Sequence, residues 1–210
     1  MNVKSRDDRE PPPGRKAEQS EATRAALIAA GRRLFGERGY EGVGTEEIVR
    51  AAGVTRGALY HHFGGKSDLL EAVFREVEEE MTTEIAAVAL GSGSSGPLEA
   101  MQAGIGIFID SCAEPAVQRI VLLDAPAVLG WDRCREIAMS YGLGLIEASI
   151  EASIEAGEIP PQPVKPLAHI LMGALDEGAM LVARSDDPAL RDEVTAVLGR
   201  LLQSLRATAP

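Results

Sequence analysis

Two of the chain's three histidines, His61 and His62, stand side by side within TRGALYHHFGGK, residues 55–66. Adjacent imidazoles raise two chemistries, metal ligation and acid–base transfer. The spacing argues against both. Neighbouring side chains on a helix point about 100° apart, so the two rings converge poorly on one ion, and working helical metal motifs set their ligands four residues apart. The third histidine, His169, lies more than a hundred residues away. No carboxylate or thiol lies within the stretch, and the chain has no nucleophile elbow, phosphate loop or histidine–carboxylate pair at ligand spacing. The expectation is a protein that is not an enzyme and needs no metal or cofactor; a helical enzyme is the outlying alternative.

The elements that hold this stretch explain its composition better. Thr55 can cap a short helix running to about Phe63, and Gly64-Gly65 end it. With Leu59 set at zero on a helical wheel, Phe63 lies about 40° away, and the pair defines an inward face. His61 and Gly57 then point outward, flanked by Ala58 and Tyr60, with Thr55 and Arg56 at the N-terminal end. Small residues with donors and planar rings suit a helix entering a DNA major groove, where its first residues reach base edges and phosphates. A second short helix precedes it, with Thr45 as N-cap and Glu46 and Glu47 in the first turn. The tight turn at Gly53 makes the two a helix-turn-helix pair.

Helical periodicity continues nearly throughout, with no alternating strand. It predicts an all-α chain of about nine helices. The first is capped by Ser20 and runs to about Glu37. A long fourth starts near Lys66 and carries Leu70, Phe74, Val77, Met81, Ile85 and Val88 at spacings of three or four. GSGSSGP, 91–97, is a linker. Five more helices fall near 98–112, 115–123, 128–156, 164–185 and 188–207. Residues 1–19 are Pro-rich and charged and are expected to be a disordered tail. With no signal-peptide core and no run of 18 apolar residues, the expected setting is cytoplasmic, without a membrane span. Cys112 and Cys134 have no metal-type spacing and are expected as buried thiols.

Net charge is −11, but it is unevenly placed. Residues 1–66 hold 12 Lys and Arg against 9 Asp and Glu, a net of +3, and the remainder holds 9 against 23, a net of −14. A polyanion would face the first part and be repelled by the second.

On these residues the sequence resembles TetR-family transcriptional regulators. The resemblance lies in AALIAAGRRLFGERGYEGV, 25–43, and GVGTEEIVRAAGVTRGALYHHFGGKSDLLEAVF, 42–74, and covers about residues 20–75. It implies a three-helix helix-turn-helix DNA-binding domain over 20–66, followed by a larger helical ligand-binding and dimerisation domain over 67–210. It also implies that Tyr60 and Lys66 contact phosphates. Thr45 caps its helix and can offer its hydroxyl to another phosphate. Arg56 reads a guanine edge or holds a phosphate. Gly57 and Ala58 allow close approach. His61 meets backbone or base, and His62 either bonds a phosphate or packs on the neighbouring helix.

The expected function is ligand-responsive transcriptional regulation, as a repressor released from a pseudo-palindromic double-stranded DNA operator by an unidentified small molecule, or alternatively as an activator. Phe108, Trp131, Met139, Tyr141 and Met172 are candidates for the ligand pocket, with Asp124 or His169 as a polar anchor. The last two helices are candidates for a homodimer interface, through Gly173, Leu198, Leu201, Leu202 and Leu205.

Overall fold

The computed structural model describes residues 13–91 and 96–206. Among the described residues there are nine helices and no strand. They are α1 (Pro13–Arg38), α2 (Thr45–Ala51), α3 (Arg56–His62), α4 (Lys66–Gly91), α5 (Pro97–Ala113), α6, α7 (Trp131–Glu155), α8 (Val164–Ala183) and α9 (Leu190–Gln203). Helix α6 passes without a break through Pro115–Val117, Gln118–Asp124 and Ala125–Leu129, and its middle piece is a π-helix. The expected fold class holds, with shifts at several ends.

Helix α1 begins at Pro13, so Ser20 lies inside it rather than capping it. Proline suits a helix start because its missing N–H would have no partner there, and the Lys-Ala-Glu-Gln run that follows favours helix. Residues 16–22 are exposed, and burial begins at Leu27. The first turns of α1 therefore extend past the core. Residues 1–12 of the expected tail, and 92–95 of the expected linker, lie outside the described residues.

Thr45 is not the cap of α2. Gly44 holds that place in extended conformation, and its carbonyl accepts from the amides of Glu47 at 3.1 Å and Ile48 at 3.2 Å. The helix thus starts one residue early, and Thr45 becomes its first residue. Gly53, at φ +68°, closes α2, with its amide on the Arg50 carbonyl and that of Val54 on the Val49 carbonyl. A side chain would be strained in that left-handed turn. Thr55 does cap α3, its Oγ1 accepting from the Ala58 amide at 3.2 Å. Leu59 and Phe63 point inward and meet Leu27, Phe35, Ile48 and Leu70 in one apolar core.

Helix α4 belongs to both halves. Leu69, Leu70, Val73 and Phe74 are buried at its start, and Val77 and Met81 continue the seam into the larger half. Helices α5, α7, α8 and α9 pack there. Gly178 sets the α8–α9 spacing, since a Cβ added to it would stand 2.9 Å from Val194 and 3.3 Å from Leu198.

Helix α6 joins the halves. A Cβ on Gly36 of α1 would stand 2.9 Å from that of Ala116, so α1 and α6 touch almost backbone to side chain. Arg119 then donates to the Gly36 carbonyl at 3.0 Å and the Glu37 carbonyl at 2.6 Å, satisfying the C-terminal end of α1. Five residues on, the Asp124 carboxylate accepts from the Tyr40 amide at 2.7 Å. Asp124 is therefore a clamp between the halves and not the pocket anchor expected from sequence. Replacing it by Ala leaves the Tyr40 N–H without that partner. Asp124→Ala should lower stability by about 1–3 kcal/mol, measured by urea unfolding of the full chain. An unchanged midpoint would remove the clamp from the stability of the fold.

Candidate nucleic-acid interface and the cavity behind it

The outward face of α3 presents Arg56, Gly57, Tyr60 and His61, all exposed, with Thr55 at its N-terminal end and Ala58 half-buried. Nothing would crowd a Cβ at Gly57 except the Thr55 hydroxyl at 3.8 Å. The open face is therefore a property of the surface and not of internal packing. Arg56 is held in place before any ligand arrives. Its Nη1 donates to Glu46 of α2 at 2.9 Å, and its guanidinium lies 5.6 Å from the centre of the Tyr60 ring. An exposed pair of this kind is easily exchanged for a phosphate or a guanine edge. Arg38 likewise pairs with Glu47 and donates to the Gly42 carbonyl.

The two histidines do not share a site. Their rings meet edge to face at 5.2 Å, with His61 exposed and His62 half-buried, 6.4 Å from the Phe63 ring. Among the described residues no group of three or more His, Cys, Asp and Glu is placed to hold a metal ion.

Lys66 is placed differently from expectation. Its Nζ donates to the carbonyls of Tyr40 at 2.9 Å and Val43 at 3.0 Å and sits 3.8 Å from the centre of the Tyr40 ring. Two of its three protons therefore fasten the start of α4 to the α1–α2 loop, leaving one for a phosphate. The signal in the sequence was its position. The two carbonyls that claim it are brought there only by the fold.

Behind this domain a cavity of about 90 Å³, partly open to solvent, lies between α4, α5, α7 and α8. Its walls include Met81, Ile85, Met101, Ile105, Phe108, Leu145, Ile146, Met172 and Leu175. Of the residues expected to line a pocket, Phe108 and Met172 do so. Trp131, Met139, Tyr141 and His169 do not. Trp131 opens α7 with nearly half its surface exposed, His169 lies on the exposed side of α8, and Tyr141 and Met139 are half-buried away from the lining.

Two acids that were not among the residues expected there, Glu78 and Asp176, also stand in the cavity wall. Glu78 retains only 7% of its surface and accepts no hydrogen bond among the described residues. Burial, reinforced by the negative charge of Asp176, pushes its carboxyl up to about 7. Asp176 is also pushed up by burial, to about 6, and Arg135 at 3.3 Å works against that rise. The free thiols of Cys112 and Cys134 are buried nearby and shifted upward, Cys134 to about 11, by the same loss of water. A sign of Glu78 was available in sequence. It falls four residues after Phe74 and three before Met81, on the buried stripe of α4.

The dimer candidates divide. Leu198 and Leu202 are buried within the subunit, because α9 turns that face onto α5 and α8. Leu201 is 52% exposed, and Leu205 is half-buried against the core. Gly173 has open space where a Cβ would be. Ile170, Leu181 and Val197 join Leu201 as large exposed apolar residues on α8 and α9. Helix α8 is long and apolar enough, by length and composition, to cross a membrane, yet it packs against α5, α7 and α9.

Two measurements follow. Lys66→Ala should destabilise the chain by about 2–3 kcal/mol, because two carbonyls lose a charged donor. Full stability together with lost DNA affinity would instead make Lys66 a phosphate ligand alone. The pH dependence has a definite sign. Glu78 and Asp176 hold protons in the folded chain that the unfolded chain releases, so they disfavour folding increasingly as pH rises from about 4.5 to about 7. The Tm of Glu78→Gln relative to the native chain should therefore climb between pH 5 and pH 8. A constant difference would contradict the buried, unpaired carboxyl.

Comparison with known proteins accounts for both halves. Residues 27–73 match the model of bacterial regulatory proteins of the tetR family, and residues 98–205 match that of the tetracyclin repressor-like C-terminal domain. The crystal structure of a TetR-family transcriptional regulator from Pectobacterium atrosepticum superposes with a TM-score of 0.81 at 32% identity, covering 92% of this chain and 98% of that one. The transposon Tn10 TetC protein of Escherichia coli is 27% identical over 74% of this chain and 78% of its own length. The transcriptional repressor AcnR of Corynebacterium glutamicum is 36% identical over 37% of this chain and 41% of its own. With its helix-turn-helix surface and its helical C-terminal half both matched, the chain belongs to the TetR family of bacterial transcriptional regulators.

Proposed function

We propose that the protein is a homodimeric repressor that holds a pseudo-palindromic operator through α3 and releases it when a small molecule fills the cavity between α4, α5, α7 and α8. The observation that carries this reading is the continuity of α4. Its first turn anchors the DNA-reading domain through Lys66, and its fourth to sixth turns wall the cavity through Glu78, Met81, Thr82 and Ile85. From Lys66 to Glu78 the helix rises about 18 Å. Anything that displaces the cavity end of a rigid helix also moves its other end.

The clamp of Arg119 and Asp124 onto the end of α1, and the bond of Arg133 on α7 to Glu71 on α4 at 2.6 Å, give that movement a second path. The ligand acts only through its different affinities for the two arrangements. The named repressor AcnR among the relatives supports the sign of the response.

The exposed apolar residues of α8 and α9 support a second copy as the partner. Two helices from each copy would form a four-helix contact about a two-fold axis. Two copies of α3 would then enter successive major grooves about 34–36 Å apart.

Two experiments test the proposal. In gel-shift titrations against the DNA flanking its own gene, the chain should bind one palindromic site in a salt-sensitive way, and Arg56→Ala should lose at least about tenfold of its preference over random DNA. Binding without sequence preference would sink the reading. Leu201→Asp should yield a monomer by light scattering, and an intact dimer would move the interface elsewhere.

A further inference from the structure

The cavity has one unusual feature, an acid left alone in an apolar wall. Glu78 is more than nine-tenths buried and faces the space shared with Met81, Ile85, Phe108 and Met172, and no hydrogen bond or cation among the described residues reaches it. A buried ionisable group without a partner is costly to keep. Asp176 lies on the same wall but is already paired with Arg135 on α7, which does not itself line the cavity. Among the described residues no Lys, Arg or His lines the space. The thiols of Cys112 and Cys134 stay protonated and add no charge.

We propose that the cavity takes a lipophilic organic monocation, an apolar body bearing one ammonium or similarly charged nitrogen that pairs with Glu78. Three features set this class. The walls are aliphatic with a single aromatic ring, Phe108, which suits a hydrocarbon body. The space is small, about 90 Å³, and opens to solvent, which suits a slender body. The local charges leave one negative group uncompensated, because Arg135 balances Asp176 and nothing balances Glu78. An anionic ligand would meet Glu78 and Asp176 with no free cation, and a neutral one would leave the Glu78 charge where it is. A cation relieves it, and an ion pair in a low-dielectric wall is stronger than the same pair in water.

Glu78 lies at the cavity end nearer the DNA-reading domain. Drawing α4 toward a bound cation there would act on the helix that Lys66 fastens to the α1–α2 loop of the DNA-reading domain. That consequence rests on the regulator reading given above, whereas the site itself rests on geometry alone.

The test uses the full-length chain and three probes of one skeleton, 4-phenylbutylamine, 4-phenylbutanol and 4-phenylbutyrate, with binding followed by calorimetry at pH 7.5. The amine should bind at least about tenfold more tightly than the alcohol or the acid, a difference of about 1.4 kcal/mol. Glu78→Gln should remove that advantage while leaving the affinity for the alcohol within about threefold. The proposal is overturned if the amine fails to bind, if the alcohol or acid binds as well, or if Glu78→Gln leaves the ranking unchanged. The ranking on the native chain decides the matter even if the variant folds poorly. Gel shifts on the same preparations separate the two readings. Absence of specific DNA binding would sink the regulator, and a flat probe ranking with intact DNA binding would sink only the cation.

Discussion

The molecule depends on one helix being part of two cores. Leu70 and Phe74 of α4 close the interior of the DNA-reading domain, and Val77 and Met81 on the same stripe close that of the larger half. Neither half can repack without moving the other, because close-packed interiors shift in discrete steps rather than deform smoothly. The fastenings at the DNA end have the same effect. Lys66 ties the start of α4 to the α1–α2 loop, and Arg119 and Asp124 tie α6 to the end of α1. Two of these ties put charged side chains on backbone carbonyls and the third puts a carboxylate on an amide, so each holds backbone groups at or just beyond the end of α1.

The π-helical middle of α6 belongs to that arrangement. Its wider turn carries Arg119 and Asp124 at opposite ends of one short piece, so both face the end of α1. A regular helix would place residues five apart about 140° from each other. Such insertions are found at positions where a side chain has been re-aimed.

Charge is divided between tasks. Glu46 of α2 holds Arg56 of α3 loosely in an exposed pair, which contributes little to stability and gives way readily to a stronger acceptor. The larger half carries a net negative charge, which repels DNA. Glu78 is the exception to surface placement. A lone carboxyl in an apolar wall contradicts the pattern of the helix around it, and such local contradictions collect where a protein binds something.

Periodicity in the sequence determined the all-helical class, the order of helices and the inward face of α3, since Leu59 and Phe63 must share a side of any helix that contains both. Turn chemistry located the breaks at Gly53 and Gly64-Gly65, and the resemblance over 25–74 supplied the kind of domain. What stayed hidden was decided by contacts between residues far apart in the chain. Nothing near Lys66 in sequence shows that the carbonyls of Tyr40 and Val43 will claim its protons. Nothing near Asp124 announces the Tyr40 amide 84 residues away. The leucines of α9 are all equally apolar, and only the position of α5 and α8 sends Leu198 and Leu202 inward and leaves Leu201 outside. The cavity is the extreme case, because an empty space between four helices is a property of how they cross. Local sequence carries the period and punctuation of each helix, whereas side-chain partners and cavities arise only once the helices have packed.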